Sequence, residues 1–314
     1  MIASFRVNTI KTLAVFTGLA TTILFSLIAI YGFGDYGFAL FIVLPFVSGF
    51  ISVVVYSWPQ QRSMKECVSI GFLTIGMAGF VLFIFAIEGL ICLVMASPLL
   101  IFLCWLGSIS GFWLQQWRHS RKLLMILPIW LIIPATMVVE NTHPLPYPEY
   151  AVTSHVLIDA TTEEVWENVI EFPEIGKPDE WLFRAGIAYP LNARIEGEGD
   201  GAIRYCNFTT GSFVEPITTW KVNEVLAFDV TEQPAPMQEL SFLAIHPPHL
   251  NGHFQSSRGQ FTLTKVSANR TLLTGTTWYT YRIRPQFYWH LWSDYIIHKI
   301  HLRVLSHIQH QSEN

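Results

Sequence analysis

The sequence predicts an α-helical membrane domain of five transmembrane helices followed by a soluble α+β domain, and three observations predict it. Five apolar stretches, each near the length of about 20 residues that a helix needs to cross a bilayer, occupy the first part of the chain. Cations in that part gather between alternate stretches only. The remainder reads as short alternating runs separated by turn residues, and it closes on a long segment without Gly or Pro. Half of the residues (51%) are hydrophobic and only 13% are charged, against roughly 25% in an average soluble domain.

The expected spans run from Thr12 to Tyr31, Gly37 to Ser57, Cys67 to Ile87, Gly89 to Leu114 and Leu123 to Val139. Little more than Glu88 separates the third from the fourth, which makes them a hairpin. Pro45, Pro98, Pro128 and Pro134 fall inside spans, where neighbouring helices can repair the broken hydrogen bonds. Trp58, Trp105, Trp113 and Trp117 lie toward span ends, at headgroup level. Arg6 and Lys11 precede the first span, Arg62 and Lys65 join the second and third, and Arg118, Arg121 and Lys122 join the fourth and fifth. The alternate loops offer Asp35 and Glu88. An odd number of crossings then puts the N-terminus in the cytoplasm and the C-terminal domain on the periplasmic or extracellular side of a plasma (inner) membrane. The first apolar run is too long for a signal-peptide core and no small-residue cleavage site follows it, so it is expected to be retained.

Charge excludes several functions. Up to Pro144 seven Lys/Arg face four acids, and beyond it twelve face nineteen, so the parts carry about +3 and −7 of the net −4. An acidic soluble part with no basic run is not a nucleic-acid binder. Span interiors almost free of acids argue against a pump or channel. Cys206 alone occupies the soluble part, which rules out an internal disulfide or a Cys-based zinc site there, and no cofactor is expected.

The segment Asn141 to Pro148 is proline-dense and is expected to form a semi-rigid spacer, giving a membrane domain over 1–140, a linker over 141–149 and a soluble domain over 150–314. Val152 to Ile158 alternates as a strand. A helix then starts at Thr161 or Thr162, with Glu163 and Glu164 in its first turn and Val165, Trp166, Val169 and Ile170 at helical spacing. Seven more strands are predicted: Leu182 to Ala188, Ala193 to Gly199, Ala202 to Phe208, Phe213 to Val222, Leu226 to Thr231, Gly259 to Lys265 and Thr271 to Tyr281. Short turns between them imply an antiparallel sheet. Gln286 to Gln311 reads as one long helix.

That order, with His155-Val156-Leu157-Ile158-Asp159-Ala160 leading into Glu163-Glu164-Val165-Trp166, resembles the START-like (SRPBCC) superfamily of polyketide cyclases/dehydrases and lipid-transfer proteins. Gly259 to Leu263, Thr274 to Tyr279 and the stretch from Tyr288 through Leu305 look like a membrane-anchored branch of it. The resemblance covers Tyr150 to Ile308. It implies a helix-grip fold, a curved sheet wrapped around the terminal helix over an apolar cavity that holds lipids, sterols or polyketides. No single catalytic motif runs through the superfamily, so none is carried over.

The last helix carries the most informative pattern. At about 100° per residue, His290, Asp294, His298 and His301 share one face with Phe287 and Leu305, while Lys299, Arg303, Ser306 and His310 lie opposite. Such a row serves as a buried polar network, as a ligand-recognition or acid–base site, or as part of a metal site. His246, His249 and His253, in a proline-rich segment expected to be a loop, lid or membrane contact, are the metal candidates, although no metal is expected. Trp278, Tyr281 and Arg258 complete the expected ligand-binding set, Arg258 as a partner for an anionic headgroup. The leading expectation is a membrane-tethered binding module for an apolar or amphipathic molecule, the bilayer and that molecule being its partners. The alternatives are a cyclase/dehydratase-type enzyme with His298 or His301 as base oriented by Asp294, and a structural subunit docking another membrane protein.

Overall fold

The computed structural model describes residues 2–117, 122–143, 145–240, 247–250 and 252–314, which form two compact units. One comprises Met1–Pro146 with Leu240–Pro248 and Ile283–Phe287; the other comprises Tyr147–Glu239, His249–Arg282 and Tyr288–Asn314.

The first unit is helical: α1 (Ile2–Leu27), α2 (Leu44–Tyr56), α3 (Met64–Ile84), α4 (Leu90–Trp117) and α5 (Lys122–Thr142). Four helical stretches, Asn8–Phe33, Ala39–Tyr56, Met64–Ile84 and Leu90–Gln116, are long and apolar enough to cross a membrane. The expected count of five is therefore four among the described residues, and the odd number from which the outside placement followed is not reached. The fifth segment does form a helix, but α5 carries Pro128 and Pro134 inside it and ends on Glu140-Asn141-Thr142. Arg118 and Arg121 lie outside the described residues.

Backbone proximity and hydroxyls hold this unit together. A Cβ at Gly107 of α4 would sit 2.0 Å from the Phe46 carbonyl oxygen of α2, and one at Gly49 would sit 2.3 Å from the Cys104 carbonyl oxygen. Such contact is how helices associate where lipid removes the hydrophobic drive between them. Thr22 donates to Ser48 (2.8 Å) and Thr74 to Ser52 (3.1 Å). Acids are accommodated: Glu140 accepts from the Phe38 and Ala39 amides, and the buried Glu88 accepts from the Tyr36 hydroxyl.

In the second unit the order is β1 (Tyr150–Ile158), α6 (Thr162–Ile170), α7 (Trp181–Arg184), β2 (Pro190–Glu196), β3 (Ile203–Phe208), β4 (Gly211–Lys221), β5 (Val225–Asp229), β6 (Phe254–Ser267), β7 (Arg270–Tyr281) and α8 (Gln286–Ser312). All pairings in the seven-stranded sheet are antiparallel, in the order β1-β7-β6-β5-β4-β3-β2. The first strand closes against the last while the middle forms a meander, which is the helix-grip arrangement. Thr161 caps α6, its side chain accepting from the Glu164 amide while Glu164 reaches back to the Thr161 amide.

The strand expected over Leu182 to Ala188 is instead the single helical turn α7. Leu182 and Phe183 are both buried, and a strand with one buried face cannot bury adjacent residues; short apolar runs are ambiguous between the two periods. The C-terminal half of α8 packs Val304, Leu305 and Ile308 into one apolar core with Val165, Trp166 and Val169 of α6 and with Ile217, Leu226, Leu263 and Leu273 of the sheet.

Candidate functional site

Strand alternation decides which sheet side chains meet α8. Odd-numbered positions of β7 point inward: Leu273, Tyr279 and Tyr281 are buried. From β1 the matching side chain is Ser154, paired with Gly275, where Leu305 of α8 comes within van der Waals reach. These strands, with helical spacing on α8, assemble two polar clusters.

Toward the start of α8, the Tyr279 hydroxyl donates to Asp294 Oδ1 at 2.6 Å and lies 3.2 Å from His290 Nδ1. His290 Nε2 lies 3.1 Å from Asp294 Oδ2, four residues away on the same helix. Tyr279 is fully buried, yet the His290 and Asp294 side chains keep 34% and 39% of their exposure. Burial, followed by the Asp294 carboxylate, holds the Tyr279 phenol above the usual tyrosine range, so it remains a donor. Aromatic rings pack against the cluster: Tyr150 lies tilted 4.4 Å from the His290 ring and stacked 5.4 Å from Tyr281, and Phe254 is stacked 5.3 Å from Tyr279.

One turn further on, the Ser154 hydroxyl lies 2.7 Å from His298 Nδ1 and 3.1 Å from His301 Nδ1, and Thr277 Oγ1 lies 2.7 Å from His301 Nε2. Burial, with a smaller effect of His298, pushes His301 down to about 4 from 6.5. A histidine depressed on folding takes up protons more readily when unfolded, so stability rises with pH between those values. Unfolding free energy of the full chain is expected to fall by up to about 3 kcal/mol between pH 7 and pH 4, and His301→Gln is expected to flatten that slope in denaturant titrations at each pH.

Several expectations change. Asp294 orients His290 and engages Tyr279, rather than His298 or His301. His298 is exposed at the edge of the seam, and Phe287, expected beside Leu305 on the inner face, is 70% exposed. Arg303 is partly covered: its guanidinium lies over the Tyr189 ring and donates to the carbonyls of Pro190, Ile175 and Gly176. Trp278 and Arg258 pair with each other on the outer face, the guanidinium 4.5 Å from the indole ring and 3.2 Å from Glu149. Alternation requires this, since inward Tyr279 and Tyr281 leave position 278 outward. Tyr281 does join the inner cluster.

Among the described residues, no three of His290, Asp294, His298 and His301 gather ligand atoms as a metal requires. His249 sits in the 3-10 turn Pro248–Leu250 with its Nε2 3.9 Å from Glu239, and the His253 carbonyl accepts from the Arg282 amide. His246 lies outside the described residues. An open cleft of about 240 Å³, lined by Lys177, Pro178, Asp179, Phe183, Arg184 and Tyr189, lies apart from the histidine row.

Sequence reasoning missed one feature of the inner face. Arg204 on β3 and Glu215 on β4 are direct cross-strand partners, both buried, with an Arg204 Nη1 to Glu215 Oε2 ion pair. The rings of Phe172, Phe228 and Phe261 surround the guanidinium at 5.3–5.8 Å. The signal was present, because Arg204 shares the parity of Cys206 and Glu215 that of Ile217, both inward apolar residues. Burial pushes the Cys206 thiol up to about 12, which makes it a core residue and not a thiolate nucleophile.

No family model matches the sequence, and a search of curated proteins finds no match. Among solved structures, the chain is similar to the Zhui aromatase/cyclase of Streptomyces sp. R1128, with 14% identity and a TM-score of 0.35 over 53% of this chain and 94% of that one. It is also similar to a truncated norcoclaurine synthase of Thalictrum flavum, with 10% identity and a TM-score of 0.35 over 53% and 95%. A protein of Nitrosospira multiformis matches with 16% identity and a TM-score of 0.33 over 52% and 95%. No residue role is carried over from any of them.

Proposed function

We propose that the chain is a membrane-tethered helix-grip protein of START-like type whose second unit binds an amphipathic small molecule, with Tyr279, His290 and Asp294 holding the polar end. The observation that carries the reading is a half-exposed imidazole–carboxylate pair anchored from below by a fully buried phenol. Fixing two polar groups this firmly costs side-chain entropy, and a surface with no ligand gains little from it. Tyr150 and Phe254, both partly exposed, flank the pair with apolar surface, the combination of aromatic walls and a few convergent polar groups that small-molecule sites share. The four apolar helices supply the tether, which raises the concentration of a bilayer-partitioned ligand near the site.

Binding is tested on the full chain in lipid nanodiscs by native mass spectrometry against fatty acids, sterols and aromatic polyketides. Tyr279→Phe and Asp294→Asn are each expected to weaken the retained ligand at least about tenfold, the loss of one charge-assisted hydrogen bond. Arg258→Ala, on the outer face, is expected to leave it unchanged. Equal retention by all three variants, or no adduct across the panel, sinks the reading.

The enzymatic alternative meets a specific obstacle. His301 is enclosed between Ser154 and Thr277, and Asp294 makes its contacts with Tyr279 and His290 instead. The base and orienting carboxylate expected for acid–base chemistry do not meet.

A further inference from the structure

We propose that the opening turns of α8 form a second membrane contact, in which the exposed ridge Phe287, Leu291, Tyr295 and Lys299 descends obliquely into the headgroup layer of a bilayer with its phenylalanine end deepest. Side chains four residues apart on a helix lie one above the other, so these four make a single ridge about 18 Å long at 1.5 Å per residue. The ridge is open: Phe287 is 70% exposed, Leu291 67% and Tyr295 39%. Tyr288 and Trp292, each one residue further on, are partly exposed and widen the same face. From Gln286 to His298 the only Asp, Glu, Lys or Arg is Asp294, and its carboxylate is engaged by Tyr279. Contiguous exposed apolar surface of this kind marks a contact site.

The order of residues along the ridge says what covers it. Two apolar side chains come first, then a ring with a hydroxyl, then an ammonium. That is the order of polarity met on leaving a bilayer, from acyl chains through the level where aromatic rings with polar tips sit to the phosphates and water. Lys299 closes the wet end, its ammonium 5.9 Å from the Tyr295 ring. An interfacial helix buries its apolar face about 5–10 Å into the boundary of headgroups and acyl chains, which is less than the length of the ridge and makes the descent oblique.

Chain connectivity gives the same polarity independently. Ile283–Phe287, which leads into the helix, belongs to the unit that holds the four helices long and apolar enough to cross a membrane, whereas Tyr288–Asn314 belongs to the unit of the sheet. The apolar end of the ridge is therefore the end joined to the apolar helices. The inference rests on the membrane tether of the proposed function and not on its ligand.

The test places a nitroxide, carried on an encoded keto side chain, at Phe287, Leu291 or Tyr295 of the full chain in phosphatidylcholine nanodiscs, and compares collisions with oxygen, which concentrates in lipid, against collisions with a water-soluble nickel chelate. Val266, exposed between β6 and β7, is the aqueous reference, and Phe80, exposed on α3, is the reference for a lipid-facing span. The oxygen-to-nickel ratio is expected to exceed that of Val266 severalfold at Phe287 and to fall in the order Phe287, Leu291, Tyr295. With the nitroxide at Tyr295, Leu291→Glu is expected to lower the ratio severalfold, while the spectrum of a nitroxide at Val266 in the same variant stays that of the parent and reports an intact fold. Ratios on the ridge equal to that of Val266, with Phe80 in lipid, overturn the inference and leave the tether standing; an aqueous Phe80 overturns both. Low collision rates with both reagents, or broadening between two nitroxides, would show a protein surface or a second copy on the ridge and overturn the inference as well.

Discussion

Glu215→Leu is expected to destabilise the second unit by about 3–5 kcal/mol, because it leaves the Arg204 guanidinium enclosed without its counter-charge. Arg204 already has one nitrogen, Nε, with no hydrogen-bond partner among the described residues, so loss of the carboxylate adds to a cation that is not fully satisfied. The surrounding phenylalanine rings stabilise a cation by about 1–2 kcal/mol, well short of the loss. Arg204→Met combined with Glu215→Leu removes both charges and is expected to return to within about 1 kcal/mol of the parent or to exceed it. Denaturant unfolding of the full chain, read from the Trp166–Trp220 pair in the same core, measures both. A Glu215→Leu protein as stable as its parent would contradict the burial of the pair.

Gly107→Leu is expected to break the α2–α4 contact. The first added atom alone would stand 2.0 Å from a backbone oxygen of Phe46 and 2.8 Å from its carbonyl carbon, and backbone cannot swing aside as a long side chain can. The cost should reach or pass the upper end of the roughly 1–3 kcal/mol typical of overpacking. Gly76→Leu is the matched control, since nothing lies within 4 Å of a Cβ at that position of α3. Unfolding in mixed detergent micelles, followed by helicity, should separate the two variants clearly; equal midpoints would mean that α2 and α4 do not approach as described.

Much of this architecture was legible because it follows from period. The apolar stretches, the Thr161–Glu164 cap and the long terminal helix are written in local residue order, and the structure repeats them with small shifts in boundary. The site was half legible. Helical spacing placed His290 and Asp294 together, and i, i+4 neighbours do meet. What spacing on one helix cannot say is which strand lies opposite. Ser154, Thr277 and Tyr279 are supplied by β1 and β7, and their parity was fixed only once register was known. Trp278 and Arg258 lie on the opposite face from Tyr279 for that reason, as aromatic and cationic residues look equally suited to either face until alternation separates them. The Arg204–Glu215 pair was lost because charged residues in strands are ordinarily solvated. Their shared parity with Cys206 and Ile217 was the available warning.

The central claim is that Tyr279, His290 and Asp294 form the polar floor of a ligand site. Cryo-electron microscopy of the full chain purified in nanodiscs without added ligand tests it most directly. An elongated non-protein density with one end in contact with His290 and Asp294, and its length against Tyr150 and Phe254, is the predicted result. Well-ordered side chains at those positions with only water above them, in a preparation whose bilayer lipids are themselves resolved, would contradict it.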